Sequence, residues 1–347
     1  MASSQLDNIF DTFIENLDMV INKLKEEDSP RPTSPSYNLE DFWKKLGTAF
    51  ESVSTEATKL AVWFSKPPLP KPDECQSLIA SVEMSAIALV SAFYGLPKEK
   101  GVILRKGTRH AVTEVVEGMK ALTKQIKDDH YHSSESQLRR TGNVWECCDA
   151  IKMLPRNNRD ALLGVLRDAG GLVKDAVEEL TELQETGGQS QGWEDLDPVI
   201  SGTPSSDSNL QEEGWSEHDR TLLPPSMGLL KAAKSCVKKV SGAVRANGQW
   251  EEESLAAQLD DLGEIAERIS PAADDMVMCL YPQIRHQDVR QNANKLAEVL
   301  LSLLDRTKTS HVAKEADNAW LTFLSKAVDH NLEKITHLTA PAPNDDT

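Results

Sequence analysis

The chain has 347 residues, of which 39% are hydrophobic and only 5% aromatic, and its formal net charge is −17. This length suffices for two domains of ordinary size, and the abundance of Leu, Ala, Glu and Lys over aromatics favours helices over sheets. The acid surplus argues against a nucleic-acid binder. No run of about 18 apolar residues occurs, so no transmembrane span is expected, and the amino-terminal stretch, without a basic start, is expected to be neither a secretory signal nor an Arg-rich transit peptide.

The first predicted helix covers residues 5–25, with Leu6, Phe10, Phe13, Leu17 and Leu24 on one side. The polar, proline-rich stretch "EEDSPRPTSPS" then breaks it. Because that link is flexible, this helix is expected to be the weakest, able to detach and expose an apolar groove. Ser29 and Ser34, each followed by proline, are candidate phosphosites in the same stretch.

A second helix opens at Asn38, a good N-cap, with Glu40 and Asp41 in its first turn. Its stripe of Phe42, Leu46, Phe50, Val53, Ala57, Leu60 and Phe64 runs into "WFSKPPLPKP", residues 63–72. Proline cannot continue a helix, so Pro67, Pro68 and Pro70 mark a stop, and Pro72 suits the first turn of the next helix. Trp63 and Phe64 are expected to pack at the bundle end. Pro67 and Pro70 also form a bare PxxP, so the loop is a candidate docking peptide as well as a hinge.

The third helix carries Leu78, Val82, Ala86 and Leu89 and ends at "FYGLPKEKG". A fourth holds Leu104, Ala111, Val115, Met119, Leu122 and Ile126, and a shorter fifth runs to Met153, closed by Pro155. The sixth has a heptad seam, Leu162, Leu166, Ala169, Val173, Ala176, Leu180 and Leu183, which reads as the interior face of a bundle.

Acidity concentrates next. Residues 175–219 hold thirteen acids and neither Lys nor Arg, while the rest of the chain nets only −4. Residues 187–216 are expected to form a flexible acidic linker. Ser216, followed by Glu217 and Asp219, is a third candidate phosphosite. Helical patterns resume with Leu229, Ala233, Val237, Val240 and Val244, then Leu255 to Ile269. Ser270–Pro271 reads as an N-cap with first-turn proline. Two further helices carry Val289 to Leu303 and Leu321 to Leu338.

The expected fold is therefore all-α, with about eleven helices in two antiparallel bundles. The N-terminal bundle would take residues 1–186 and the C-terminal bundle residues 217–340, with the acidic linker at 187–216 between them. Lys231, Lys234, Lys238 and Lys239 sit on one helix and form a candidate basic binding face, for DNA phosphate, an acidic partner or the chain's own acidic linker; a plain solvated face is the alternative. The five cysteines are odd in number and irregular in spacing, which suits buried thiols in a reducing compartment. "DDHYH" at residues 128–132 lacks the further ligands a metal site needs. No nucleophile-elbow, phosphate-loop or zinc-protease pattern occurs, so neither a catalytic site nor a cofactor is expected.

Three blocks, "FWKKLGTAFESVSTEATKLAVWFSKPPLPKP", "LPKEKGVILRKGTRHAVTEVVEGM" and "ISPAADDMVMCLYPQIR", resemble in order the cyclin-D-binding family, also called Grap2 and cyclin-D-interacting proteins. The resemblance implies talin- or I/LWEQ-like helical bundles. It also implies a nuclear and cytoplasmic regulator that binds D-type cyclin, helix–loop–helix transcription factors and a Grap2-type adaptor, and that inhibits cell-cycle progression and transcription. From charge and the lack of a long apolar run, no direct contact with nucleic acid or membrane is expected. The alternative is a cytoskeletal adaptor bundle of the talin or vinculin type.

Overall fold

The computed structural model describes residues 2–26, 37–132, 134–187 and 214–340. Among these are eleven α-helices and no strand. They are α1 (Ala2–Lys25), α2 (Leu39–Trp63), α3 (Pro72–Phe93), α4 (Val102–Asp128), α5 (Glu135–Asp149), α6 (Asn158–Glu185), α7 (Glu217–Asn247), α8 (Glu253–Glu267), α9 (Ile269–Met278), α10 (His286–Thr309) and α11 (Asn318–Leu338). The fold is all-α. The chain divides into two compact units, Met1–Ala161 with Trp250–Ala257, and Leu162–Gln249 with Gln258–Thr347.

In the first unit, local signals start the helices where expected. Asn38 accepts hydrogen bonds from the amides of Glu40 and Asp41, and Pro72 opens α3 with Asp73 and Glu74 in its first turn. Cross-helix contacts fix the directions. Ser81 of α3 donates to Glu56 of α2 at 3.0 Å, and Gly95 faces Phe42, so the pair is antiparallel. Asp18 pairs with Lys120, Asp11 with Lys127 and Lys25 with Glu117, so α1 runs antiparallel to α4.

The first helix differs from expectation. Phe10, Phe13, Leu17 and Leu24 are fully buried, Phe10 meets Phe64 edge-on at 5.3 Å, and Tyr131 donates to Asp7 at 2.6 Å. It is an integral member of the core, because its stripe outweighs its flexible tether. Trp63 also differs: it is 44% exposed, while Phe64 is buried. One helical step of about 100° separates the two, and only Phe64 continues the stripe of Leu60.

By length and composition α3 could cross a membrane, with mean hydropathy 1.5. Ala and Ser fill the gaps that broke the apolar run in the sequence. Its Cys75, Leu78, Val82, Leu89 and Phe93 are buried in the unit, packed with α1 and α2.

Gly101 precedes α4 at φ +122°, and a Cβ there would lie 2.0 Å from Asn158. Asn158 fills that space, fully buried. Its Oδ1 accepts from the Leu104 amide at 3.1 Å and its Nδ2 donates to the Ala256 carbonyl at 3.1 Å. One side chain thus caps α4 in trans and ties in residue 256.

In the second unit, α7 starts twelve residues before its apolar seam was recognised at Leu229 and passes through Pro224 and Pro225. An interior proline costs about 3 kcal/mol. Burial of Leu222, Leu223, Pro225 and Met227 offsets it, and the Ser226 hydroxyl donates to the Leu222 carbonyl at 2.7 Å. Gly228 lets α11 approach: a Cβ there would lie 2.2 Å from Asn331 Oδ1. Asn292 and Lys295 near the start of α10 meet Asp275 of α9, and Arg306 near its end meets Asp261 of α8, so α10 runs back along the pair.

The heptad seam of α6 is buried from Leu162 to Leu183, and by contacts it lies in the second unit. The expectation of an N-terminal bundle ending at residue 186 rested on the place of this helix before the acidic stretch; its contacts group it with the helices that follow. Residues 188–213 of the expected linker lie outside the described residues. Trp215 does not behave as linker: it is 6% exposed and its indole donates to the Leu280 carbonyl at 2.8 Å. Ser270 is not an N-cap; it is the second residue of α9, and Arg268 takes the cap position without a side-chain bond.

Candidate interaction surface

The basic candidates come together. Lys231, Lys234, Lys238 and Lys239 are all exposed on α7. Opposite them Leu230, Ala233, Cys236, Val237 and Val240 are buried. The apolar spacing that folds the helix into the unit therefore also forces the lysines outward. None of the four forms an ion pair within the described residues. Exposed Arg220 and Arg245 extend the same helix, and residues 220–250 contain no Asp or Glu.

The proline candidates lie together in the α2–α3 connection. Pro67 and Pro68 are exposed and joined by a cis bond, whereas Pro70 and Pro72 are half-buried. Exposed Leu69 and Trp63 flank them. The loop joins antiparallel neighbours, as a hinge would, and its first prolines are open to solvent.

The phosphosite candidates do not converge. Ser29 and Ser34 lie outside the described residues. Ser216 is the N-cap of α7: its hydroxyl accepts from the Asp219 amide at 3.1 Å, and Asp219 accepts from the Ser216 amide at 3.1 Å. The serine thus has a structural function that the acidophilic pattern concealed.

Sequence patterns gave no hint of a cleft of about 890 Å³ among His218, His286, Arg290, Asn294 and His337. The rings of His218 and His286 meet at 4.7 Å, tilted by 56°, and His286 Nε2 lies 3.2 Å from Asp219 Oδ1. Burial opposes ionisation of Asp219, but hydrogen bonds from Ser216 and His286 outweigh it and hold its carboxyl below the usual range. Nucleophilic catalysis needs a serine hydroxyl against the imidazole and the carboxylate behind it. Here Ser216 donates to the carboxylate itself at 2.7 Å, and Asp219 stands between serine and histidine. The group is a helix cap with a histidine attached.

The "DDHYH" stretch is the turn after α4, where His130 and Tyr131 take positive φ. Among the described residues no group of three or more His, Cys, Asp or Glu is placed to hold a metal. All five thiols are free; Cys75, Cys148 and Cys236 are buried. Burial pushes Cys75 up to about 11 and Cys236 up to about 12, leaving them unreactive at neutral pH.

Comparison with known proteins bears on what such a surface serves. Residues 45–186 match the family model "Grap2 and cyclin-D-interacting, N-terminal", and residues 190–305 match its C-terminal counterpart. The two models meet near residue 187, whereas packing places α6 in the second unit. The Cyclin-D1-binding protein 1 homolog of Xenopus laevis is 39% identical over 94% of this chain and 97% of its own length. The homolog of Danio rerio is 43% identical over 88% of each. The Cyclin-D1-binding protein 1 of Homo sapiens is 35% identical over 88% of this chain and 87% of its own. The chain belongs to the Grap2 and cyclin-D-interacting protein family.

Proposed function

We propose that this chain is a non-enzymatic regulator that binds D-type cyclin and restrains cell-cycle progression and transcription. The observation that carries this is the match to relatives named for binding cyclin D1, along about nine-tenths of both chains. Similarity over that length spans both compact units rather than one shared module. Helix–loop–helix transcription factors and a Grap2-type adaptor are further partners in this proposal, and its action lies in nucleus and cytoplasm. The net charge of −17 suits a protein that sequesters partners rather than contacting DNA.

The test is a cyclin-D-dependent kinase assay with purified full-length chain added in increasing amounts. A saturable fall in phosphate transfer, matched by co-elution with the cyclin, supports the proposal. Co-elution with unchanged activity would leave a binder that does not inhibit, and the absence of both would refute the proposal.

A further inference from the structure

Lys231, Lys234, Lys238 and Arg245 follow one another at steps of three, four and seven along α7. These steps place them in one line, about 21 Å long at 1.5 Å per residue. Lys239 is turned from this line and acts on Asp317. Like charges three and four apart destabilise a helix. Other lysines on helices pair with acids at such offsets, as Lys59 does with Glu56 and Lys174 with Glu178. The α7 line has none, although residues 175–219 supply thirteen acids just before it. Among the described residues no ion pair compensates, and a local rule broken at the surface in this way marks a functional face.

We propose that the line formed by Lys231, Lys234, Lys238 and Arg245 is a docking site for an acidic helix or peptide of a partner protein, with carboxylates spaced three to four residues apart. Charge complementarity selects this occupant. The line is one side chain wide. Beside it α6, which meets α7 where Gly170 approaches Val237, exposes Asp168, Asp175, Glu178, Glu179 and Glu182. Its three cations, Arg159, Arg167 and Lys174, are already paired with Asp160, Asp168 and Glu178. A duplex or an anionic lipid surface is broad on this scale, whereas a single peptide can follow the lysines alone. The inference concerns surface chemistry and does not depend on the identity of the cyclin partner.

The probe is a fluorescein-labelled Glu/Ala peptide of about fourteen residues, with Glu at helical spacings of three and four to match the line. Binding to the full-length chain is followed by anisotropy at rising salt. The wild type should bind, more weakly as the screening length shortens. The triple variant Lys231→Glu, Lys234→Glu and Lys238→Glu should bind about tenfold more weakly or worse, from the loss of several exposed charge contacts. Lys44→Glu, Lys45→Glu and Lys66→Glu together change the net charge equally and should leave binding near wild type. Should the charge reversal impair folding by circular dichroism, the triple Lys→Gln variant carries the test with a smaller loss of the same sign. No binding by the wild type, or equal loss in the control variant, overturns the proposal. So does binding of a duplex DNA or phosphatidylserine vesicles in preference to the peptide.

Discussion

Replacing Asn158 by alanine should be among the most damaging single polar substitutions in the first unit. The side chain is fully buried and serves two backbone groups, the Leu104 amide and the Ala256 carbonyl. Loss of a helix cap costs about 1 kcal/mol, and a buried backbone group left without a partner costs a further 1–3 kcal/mol or so. The expected loss is therefore about 2–4 kcal/mol. Asn158→Asp keeps an acceptor for Leu104 but turns an oxygen towards the Ala256 carbonyl, so it should not rescue. Neighbouring Asn157, whose side chain accepts from the Asp160 amide at 2.9 Å, caps α6 only locally; Asn157→Ala should cost about 1 kcal/mol. Urea denaturation followed by circular dichroism gives both values from the shift in midpoint at unchanged slope. Asn158→Ala within 0.5 kcal/mol of wild type, or no worse than Asn157→Ala, would refute this account of the α4 start.

Deleting residues 1–36 should unfold the first unit rather than open a groove, since six large apolar side chains of α1 each contribute about 1.5–3 kcal/mol by burial, comparable to the whole stability of a domain; a truncated chain with native far-ultraviolet dichroism and an unchanged melting temperature would contradict this. Phe64→Ala should cost about 3–5 kcal/mol and the more exposed Trp63→Ala clearly less, with Pro67→Ala and Pro70→Ala having little effect on melting. Gly228→Ala should destabilise by about 1–3 kcal/mol through its clash with Asn331, and Gly228→Ala combined with Asn331→Ala should recover part of that loss; no recovery would place the strain elsewhere. Because the Asp219 carboxyl is held below its usual range, its contribution is fully present above about pH 4 and is lost as pH falls through the native value; Asp219→Asn should flatten that acid limb of an unfolding curve.

Much of the fold was legible because its signals are local. Asn38 capping α2, Pro72 opening α3 and the buried seam of Leu162 to Leu183 each depend on residues within one or two helical turns. The features missed depend on distant partners. Gly101 and Asn158 meet across more than fifty residues, and nothing near either position marks the pair. Pro224 and Pro225 argue locally against a helix, and only the burial around them overrides that preference. The place of α6 has the same limit: a seam shows that a helix is buried, not which helices bury it. For the candidate surface, the lysine spacing showed that the charges share a face, but that none of them is ion-paired among the described residues emerged only from the packed structure. The histidine cleft joins residues from three separate helices, with no motif in any of them.

The central claim is that this chain binds D-type cyclin. Isothermal titration of purified cyclin D1 into the full-length chain tests it most directly. The account predicts saturable binding at a fixed stoichiometry, with a complex that co-elutes on gel filtration. A flat titration with both proteins folded, and separate elution at concentrations well above micromolar, would contradict it.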